Sequence, residues 1–327
     1  MRSGTLFPAP TRAALLAIAL LALGLTGAGG AHAVAPADGQ EIPLWPADPP
    51  GSARFAAAQE VIERSRDPGI QDRAVLNITR PQLVIFRPER PNGTALLVTP
   101  GGAYQRVVID KEGEEVARRL NRDGITVFRL VYRLPGGGQA TDAPLMDAQR
   151  AMRLIRHNAR DWGLDPQRIG MLGFSAGGHL AAQLATGFER RVYQPQDAAD
   201  ALPARPDFLA LGYPVISMDP AITHAVSREE LLGKTPLGEL VEANSPERHV
   251  SKALPPSFIF GASDDDAVPV ANALAFYGAA ARAGVPAELH LFRQGGHGFS
   301  IRLVAGMPAA EWPGLLVNWM RSIRMAP

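Results

Sequence analysis

Residues 173–178, with the sequence GFSAGG, place a serine in a G-x-S-x-G pattern between an apolar run and a stretch of small residues. A serine at a sharp turn from a strand into a helix exposes its hydroxyl, and the flanking glycines leave room for neighbouring backbone. The amino end of the helix adds positive potential where an oxyanion would form. This context predicts that Ser175 is a nucleophile. The alternative is a glycine-rich turn without a catalytic role.

A nucleophilic serine needs a base, and seven histidines are available. His297 lies in the segment QGGHGF, which follows the last strand-like run. A glycine-rich loop there lets the ring swing over the end of a parallel sheet, so His297 is the predicted base. The alternative is a histidine on a surface loop. His179, four residues after Ser175, is expected to pack beside the site as structural support.

The base needs an orienting carboxylate, which is expected after an earlier strand, in the chain order Ser, Asp, His. A strand is predicted over Phe258–Gly261, and the segment SDDDAVP follows it. Its three neighbouring acids, Asp264, Asp265 and Asp266, cannot all fill one role. The residues alone leave the choice open, and a charged surface loop is the alternative.

A glycine-rich loop, PGGAY at residues 100–104, directly follows a predicted strand. Such a loop can bring backbone N–H groups to the nucleophile. We therefore predict an oxyanion hole from the N–H groups around Gly102 and Ala103 with that of Ala176. Alone, Pro-Gly-Gly is an ordinary turn signal. Tyr104 is a candidate substrate-binding residue, because its ring could stack on a sugar or an aromatic group.

Strand-like and helix-like segments alternate along the chain. Strands are predicted over 81–86, 95–99, 125–134, 168–174, 208–215, 257–261 and 287–292, and helices over 111–122, 147–161, 176–186, 271–283 and 310–324. This alternation indicates crossover connections and a mostly parallel sheet flanked by helices, the α/β class. We predict one catalytic domain over 76–327, preceded by an N-terminal arm over 34–75 with a short helix around Ala56–Arg64.

The amino-acid composition excludes several kinds of active site and partner. The 327 residues include no cysteine, which excludes thiol nucleophiles, cysteine-ligated zinc, iron–sulfur clusters and disulfides. The formal net charge is +1, so nothing indicates a nucleic-acid partner. The hydrophobic fraction of 46% is sufficient for a sizeable core.

The first 33 residues have the layout of a secretory signal peptide. Arg2 and Arg12 precede an apolar run of about 13 residues, and small residues end in Ala-His-Ala at 31–33. A membrane span needs about 20 residues. We therefore expect cleavage near Ala33 and export, either to the periplasm or out of the cell, with no stable membrane anchor afterwards.

Taken together, the motifs resemble the α/β-hydrolase superfamily, and within it the secreted bacterial acetyl esterases of the acetyl-xylan-esterase and feruloyl-esterase-like group. The resemblance covers about residues 76–325. It rests on PGGAY, YRL at 132–134, GFSAGG, the pattern D-x-x-V-P-V from Asp265, and GGHGF. It implies that Asp265 is the acid and that the reaction is ester hydrolysis through an acyl-enzyme, with no metal or cofactor.

Two positions depart from the family pattern. Ala103 stands where the usual P-G-G-G-Y loop has a third glycine, which could perturb the oxyanion hole slightly. Phe260-Gly261 ends the acid strand where His-Gly or His-Thr is common. We expect this second departure to alter packing only.

The resemblance and the predicted export favour a small-molecule or oligosaccharide ester, such as acetylated xylan fragments, as substrate. An insertion over 216–256, before the acid strand, is mostly polar and suits a soluble substrate, unless it is simply a solvated surface excursion. Two other functions remain as alternatives. A serine peptidase on the same fold would usually carry a large extra domain, and a non-catalytic binding protein would normally have lost part of the triad.

Overall fold

The computed structural model describes residues 35–52, 58–136 and 140–327, so the predicted signal peptide lies outside the described residues. Within these ranges the strands are β1 (Glu41–Pro43), β2 (Glu60–Glu63), β3 (Arg73–Leu76), β4 (Gln82–Phe86), β5 (Ala95–Thr99), β6 (Val107–Val108), β7 (Thr126–Val131), β8 (Ile169–Phe174), β9 (Leu209–Gly212), β10 (Ser257–Ala262) and β11 (Ala287–Phe292). The α-helices are α1 (Glu115–Asn121), α2 (Ala143–Asn158), α3 (Ser175–Gly187), α4 (Ala225–Leu232), α5 (Gly238–Ala243), α6 (Ala271–Arg282) and α7 (Trp312–Ser322).

The main sheet has eight described strands in the order β1-β4-β7-β5-β8-β9-β10-β11. From β7 to β11 all neighbours are parallel, whereas β1 and β4 pair antiparallel at one edge. A parallel sheet collects the carboxyl ends of its strands at one edge, where ligands bind in open α/β folds. The predicted mostly parallel sheet flanked by helices is confirmed.

Both faces of this sheet are covered by helices, which explains why its central strands are apolar throughout. In β5, Leu97 packs in a cluster with residues of α2, α3 and α6. Its neighbours Leu96 and Val98 point to the other face and pack with α1 and α7. The alternation follows from the two-residue repeat of a strand.

The N-terminal arm contains strands rather than the predicted helix. Of the range Ala56–Arg64, residues 56 and 57 lie outside the described residues, and Glu60–Glu63 is strand β2. It pairs antiparallel with β3, with Val61 opposite Val75. The prediction is wrong because this pairing outweighs a weak local helical preference. Strand β3 ends at Leu76 and so crosses the predicted boundary between the N-terminal arm, 34–75, and the catalytic domain, 76–327.

The helix predicted over 111–122 begins differently. Residues Asp110–Glu114 form a wider π-type turn, and the α-helix runs only over Glu115–Asn121. The turn buries Asp110 and Glu112. Such turns inside helices are common at functional sites.

The insertion over 216–256 contains two short helices, α4 and α5.

No helix in the described part of the chain is both long and apolar enough to cross a membrane. Nor do those residues contain a group of three or more His, Asp or Glu side chains that could hold a metal ion.

Candidate active site

Ser175 lies at the turn between β8 and α3 with a φ of 52°, in the left-handed region that side chains rarely adopt. Close packing explains the glycines around it. A Cβ built on Gly173 would lie 2.3 Å from the carbonyl oxygen of Gly177, and one built on Gly177 would lie 2.1 Å from that of Thr99. The G-x-S-x-G pattern therefore permits a strained turn that raises the serine side chain above the sheet edge.

Loops after three different strands bring Ser175, His297 and Asp265 together. Ser175 Oγ lies 2.9 Å from His297 Nε2, and His297 Nδ1 lies 2.8 Å from Asp265 Oδ2. Since a carboxylate only accepts, Nδ1 carries the proton and Nε2 is free to accept from the serine hydroxyl. The arrangement can take a proton from the serine and hold it as an imidazolium.

The three neighbouring acids have different surroundings. Asp265 has a side chain only 2% exposed, and its Oδ1 accepts from the N–H groups of Ala267 and Val268. Asp264 is exposed but not merely solvated. Its Oδ1 accepts from the Gly296 N–H at 2.8 Å, which lowers the pKa of this carboxyl and ties down the loop before His297.

The loop that contains Gly102 and Ala103 is strained. Gly102 has a φ of 139°, and a Cβ there would lie 2.1 Å from the carbonyl oxygen of Arg106, so only glycine fits. Ala103 has a φ of 58°, which explains why a third glycine is usual at this position. Among the described residues, the N–H groups of Gly102 and Ala103 donate no backbone hydrogen bond.

Two residues that the sequence analysis missed hold this loop in place. Glu112, buried in the π-type turn, accepts from the Gly101 N–H at 2.8 Å and from the Tyr213 hydroxyl at 2.9 Å. The Tyr213 ring packs edge-on against His297, with 5.3 Å between ring centroids. The carboxylate of Glu112 thus links the glycine-rich loop to the residue that supports the histidine. No local sequence signal marks either residue, because their partners are far apart along the chain.

The predicted stacking role of Tyr104 is wrong. Its side chain is 1% exposed, and its hydroxyl lies 2.8 Å from His179 Nδ1. His179 Nε2 faces the carbonyl oxygen of Asn244 at 2.8 Å, so Nε2 carries the proton and Nδ1 accepts from the tyrosine. Complete burial lowers the pKa of His179 to about 4. Tyr104 therefore anchors the loop from inside, and His179 is the structural support that was expected.

The insertion borders the site. His224, at the start of α4, has its ring centroid 6.4 Å from that of His297, with 18° between the planes. Its Nδ1 pairs with the hydroxyl and N–H of Ser227, and burial followed by the charge of His297 lowers its pKa. Further along α4, Glu230 accepts from Gln105 at 2.9 Å. His224 is a neighbour of the site that the sequence analysis missed.

Comparison with known proteins agrees with this geometry. The sequence profile of the BD-FAE family matches residues 84–279, more than half of the chain. The chain belongs to the BD-FAE family. The matched segment of this BD-FAE chain contains the glycine-rich loop, Ser175 and Asp265, while His297 follows it. Membership identifies an α/β-hydrolase esterase family, which confirms the resemblance seen in the sequence.

Two curated relatives of this BD-FAE chain have names that refer to xylan. An acetylxylan esterase from Xylanibacter ruminicola is 36% identical over 225 residues, 67% of this chain and 43% of the relative. An endo-1,4-beta-xylanase B from Butyrivibrio fibrisolvens is 35% identical over 208 residues, 63% of this chain and 32% of the relative. The chain spans less than half the length of these two relatives.

A solved structure resembles almost the whole BD-FAE chain. The acetyl ester-xyloside bifunctional hydrolase from Caldicellulosiruptor lactoaceticus has a TM-score of 0.75 and 35% sequence identity. The similarity covers 90% of this chain and 99% of that protein. The α/β-hydrolase fold predicted from the sequence is therefore confirmed.

Proposed function

We propose that the protein is a carboxylic ester hydrolase with Ser175 as nucleophile, His297 as base and Asp265 as the acid that orients it. One observation carries the proposal. The hydroxyl, the imidazole and a buried carboxylate form a continuous chain of hydrogen bonds of 2.9 and 2.8 Å at the carboxyl end of β8. Nucleophile, base and orienting group within hydrogen-bond reach are the requirement for covalent acyl transfer.

The reaction proceeds through an acyl-enzyme. Ser175 Oγ attacks the ester carbonyl carbon as its proton moves to His297 Nε2, and Asp265 stabilises the imidazolium. The tetrahedral intermediate expels the alcohol, which takes the proton from Nε2. A water molecule then gives a proton to Nε2 and attacks the acyl group. The second tetrahedral intermediate then expels Ser175 Oγ, which takes that proton back from Nε2 as the carboxylic acid is released.

The oxyanion binds to backbone N–H groups of Ala176 and of Gly102 and Ala103. Support comes from the positive φ of Gly102 and Ala103 and from the preceding Gly101, where a Cβ would lie 2.8 Å from the Cβ of Ser175. A single donor of this kind is worth about 3–4 kcal/mol in the transition state. Glu112 acts through Gly101 and is a positioning residue for the hole.

The substrate is a small-molecule or oligosaccharide ester, with an acetyl group on a xylan-type carbohydrate favoured. The names of the relatives and of the solved structure support this choice. The chemistry needs no cofactor, and the net charge of +1 gives no reason to expect a nucleic-acid partner.

The mutation Ser175→Ala tests the function. We expect ester turnover to fall by about 10⁴–10⁶ in kcat, because the nucleophile is lost. The far-ultraviolet circular dichroism spectrum should be unchanged. Activity is measured on p-nitrophenyl esters from acetyl to octanoyl, on acetylated xylan and on methyl ferulate. More than a few per cent residual activity in a clean preparation would rule out Ser175 as nucleophile.

Export of the protein, with cleavage near Ala33, is part of the same proposal. It rests on the basic, apolar and small-residue segments of residues 1–33. We expect the exported protein to begin near Val34 and to carry no stable membrane anchor. Amino-terminal sequencing of exported protein checks this, and a chain that still begins at Met1 would contradict it.

A further inference from the structure

His224, in the insertion, brings a second imidazole to the candidate active site. Its ring centroid lies 6.4 Å from that of His297, and the two ring planes differ by only 18°. Tyr213 also packs against His297, but its side chain is 3% exposed and its hydroxyl already bonds Glu112. Of these two neighbours of His297, only His224 still has a polar group to offer to a substrate.

Contacts with Ser227 of α4 fix the orientation of the His224 ring. The Ser227 N–H donates to Nδ1 at 3.3 Å, and the Ser227 hydroxyl lies 2.8 Å from the same atom. Because a backbone N–H can only donate, Nδ1 is the acceptor, and the neutral ring carries its proton on Nε2. Burial, followed by the charge of His297, lowers the pKa of His224, so the ring is neutral near pH 7.

The Nε2–H group of His224 is left without a partner. Both hydrogen bonds of the ring involve Nδ1, and Nε2 has none among the described residues. The ring is half-buried, yet Nε2 does not belong to the buried atoms that lack a partner in this part of the chain. The nitrogen is therefore accessible, and its N–H can meet an acceptor on a bound substrate.

Buried hydrogen bonds hold His224 in this place. The side chain of Asn272, which is 0% exposed, donates to the carbonyl oxygen of Ile222 at 2.6 Å and to that of Pro269 at 3.0 Å. Pro269 belongs to the loop that begins with Asp265, whereas Ile222 lies two residues before His224. One asparagine thus ties the segment before α4 to the loop that carries the proposed acid.

The reaction brings the alcohol part of the ester to the same place. The expelled oxygen takes its proton from His297 Nε2, so it must lie within hydrogen-bond distance of that atom. The first carbons of the alcohol are then next to the His297 ring. Since an N–H···O contact spans about 2.9 Å, the 6.4 Å between the ring centroids suits two oxygens on neighbouring carbons, one bonded by each imidazole.

We propose that His224 selects the leaving alcohol, by donating its Nε2–H to an oxygen on the carbon next to the one that bears the ester. His224 is thus a specificity-determining residue, and the insertion has a role in the choice of substrate. The proposal rests on the proposed ester hydrolysis and deepens it, because it says which alcohols are favoured as leaving groups. An alcohol without a second oxygen gains nothing from this donor.

A pair of esters of equal size tests the donor. 2-Hydroxyethyl acetate and propyl acetate differ only in a terminal hydroxyl or methyl group, and the readout is the ratio of their kcat/KM values. His224→Asn keeps an oxygen that can accept from the Ser227 N–H but removes the Nε2 donor. We expect the ratio to fall by about 3- to 10-fold relative to the wild type. His224→Gln places an amide N–H near the position of Nε2 and should retain more of the preference.

A second pair separates donation from acceptance. 2-Methoxyethyl acetate offers an acceptor oxygen but no hydroxyl, and butyl acetate is its counterpart without that oxygen. Because His224 donates, this ratio should fall by a similar factor in His224→Asn. His224→Phe, which keeps a ring but no nitrogen, gives the same readout if the asparagine variant fails to fold. His249→Asn, the same change at an exposed position of the insertion, is the matched control and should leave both ratios unchanged.

Several results would overturn the role of His224. Unchanged ratios in His224→Asn and His224→Phe would show that the ring makes no such contact. An equal loss on all four esters and on p-nitrophenyl acetate would show a structural role only, and a fall confined to the hydroxy ester would show that the ring accepts rather than donates. In each case the proposed function stands if p-nitrophenyl acetate hydrolysis depends on Ser175, whereas loss of that dependence would reject the proposed function itself.

Discussion

At the scale of single residues, backbone strain is concentrated around the nucleophile. Ser175, Ala103, Tyr104 and Tyr213 all have positive φ values, between 36° and 61°. Conformations of this kind cost about 1–3 kcal/mol each and persist only where the surrounding structure holds them. Two of these residues are held by buried hydrogen bonds: the Tyr213 hydroxyl donates to Glu112, and the Tyr104 hydroxyl pairs with His179 Nδ1. The strain is consistent with backbone N–H groups that are fixed in place for catalysis.

The three adjacent acids give a prediction at this scale. Asp265→Asn should lower kcat by roughly 10⁴, because an amide in place of the buried carboxylate favours the wrong imidazole tautomer. Asp266→Asn should change kcat by less than about tenfold. The measurement is kcat of both variants on p-nitrophenyl acetate.

Asp264 is an informative neighbour in this comparison. It bonds the Gly296 N–H but not the imidazole, and an asparagine retains an acceptor oxygen for that bond. Asp264→Asn should therefore also change kcat by less than about tenfold. A large loss of kcat in the Asp264 or Asp266 variant, with Asp265→Asn near the wild-type value, would show that Asp265 is not the acid of the triad.

At the scale of elements, the N-terminal arm is hydrogen-bonded to a residue just after β7 and to a residue of α2. Arg133, just after β7, and Asp147 of α2 form an ion pair in which both side chains are 0% exposed. Arg133 also donates to the carbonyl oxygen of Pro50 at 2.6 Å, and Trp45 donates to Asp147 at 2.8 Å. The arm is therefore part of the domain rather than a loose extension.

This contact predicts a stability effect. Asp147→Ala leaves Arg133 buried without its counter-ion, and we expect the free energy of unfolding to fall by about 3–5 kcal/mol. Urea denaturation measures the change. Asp142→Ala is the control, because it breaks an ion pair with Arg190 whose side chains are 40% and 42% exposed. That loss should not exceed about 1 kcal/mol. Equal effects of the two variants would contradict the buried role of Asp147.

At the scale of the whole molecule, buried histidines link stability to pH. His179 is fully buried with a pKa lowered to about 4, and burial also lowers the pKa of His224. A histidine with a lowered pKa favours folding in its neutral form. Its contribution is complete above the unfolded value of about 6.5 and is lost as the pH falls towards the folded value.

We therefore expect the free energy of unfolding to decrease between about pH 6.5 and pH 4, with His179 contributing on the order of 3 kcal/mol. Urea denaturation at a series of pH values measures this. His179→Gln should be less stable than the wild type at pH 7 but should show a shallower decrease. His249→Gln, at an exposed position, is the control and should keep the wild-type slope. An unchanged slope in His179→Gln would reject the assignment.

Much of the fold follows from the sequence because its signals are local. The apolar runs correctly predict β4, β5, β8, β10 and β11, whose boundaries lie within a residue of those expected. Short strands such as β1, β2 and β6 were missed. They contain two to four residues, and their existence depends on partners elsewhere in the chain.

The sequence by itself determined the residues whose role is written into a local pattern: the glycines that permit the turn at Ser175, the loop before His297 and the acids after β10. Only the tertiary structure decided which side chains support them. Glu112 and Tyr213 are 101 residues apart, and Tyr104 and His179 are 75 apart. A hydrogen bond between distant segments leaves no periodicity or spacing in the chain. For that reason the burial of Tyr104 and the approach of His224 to His297 become evident only after the sheet brings their loops to one edge.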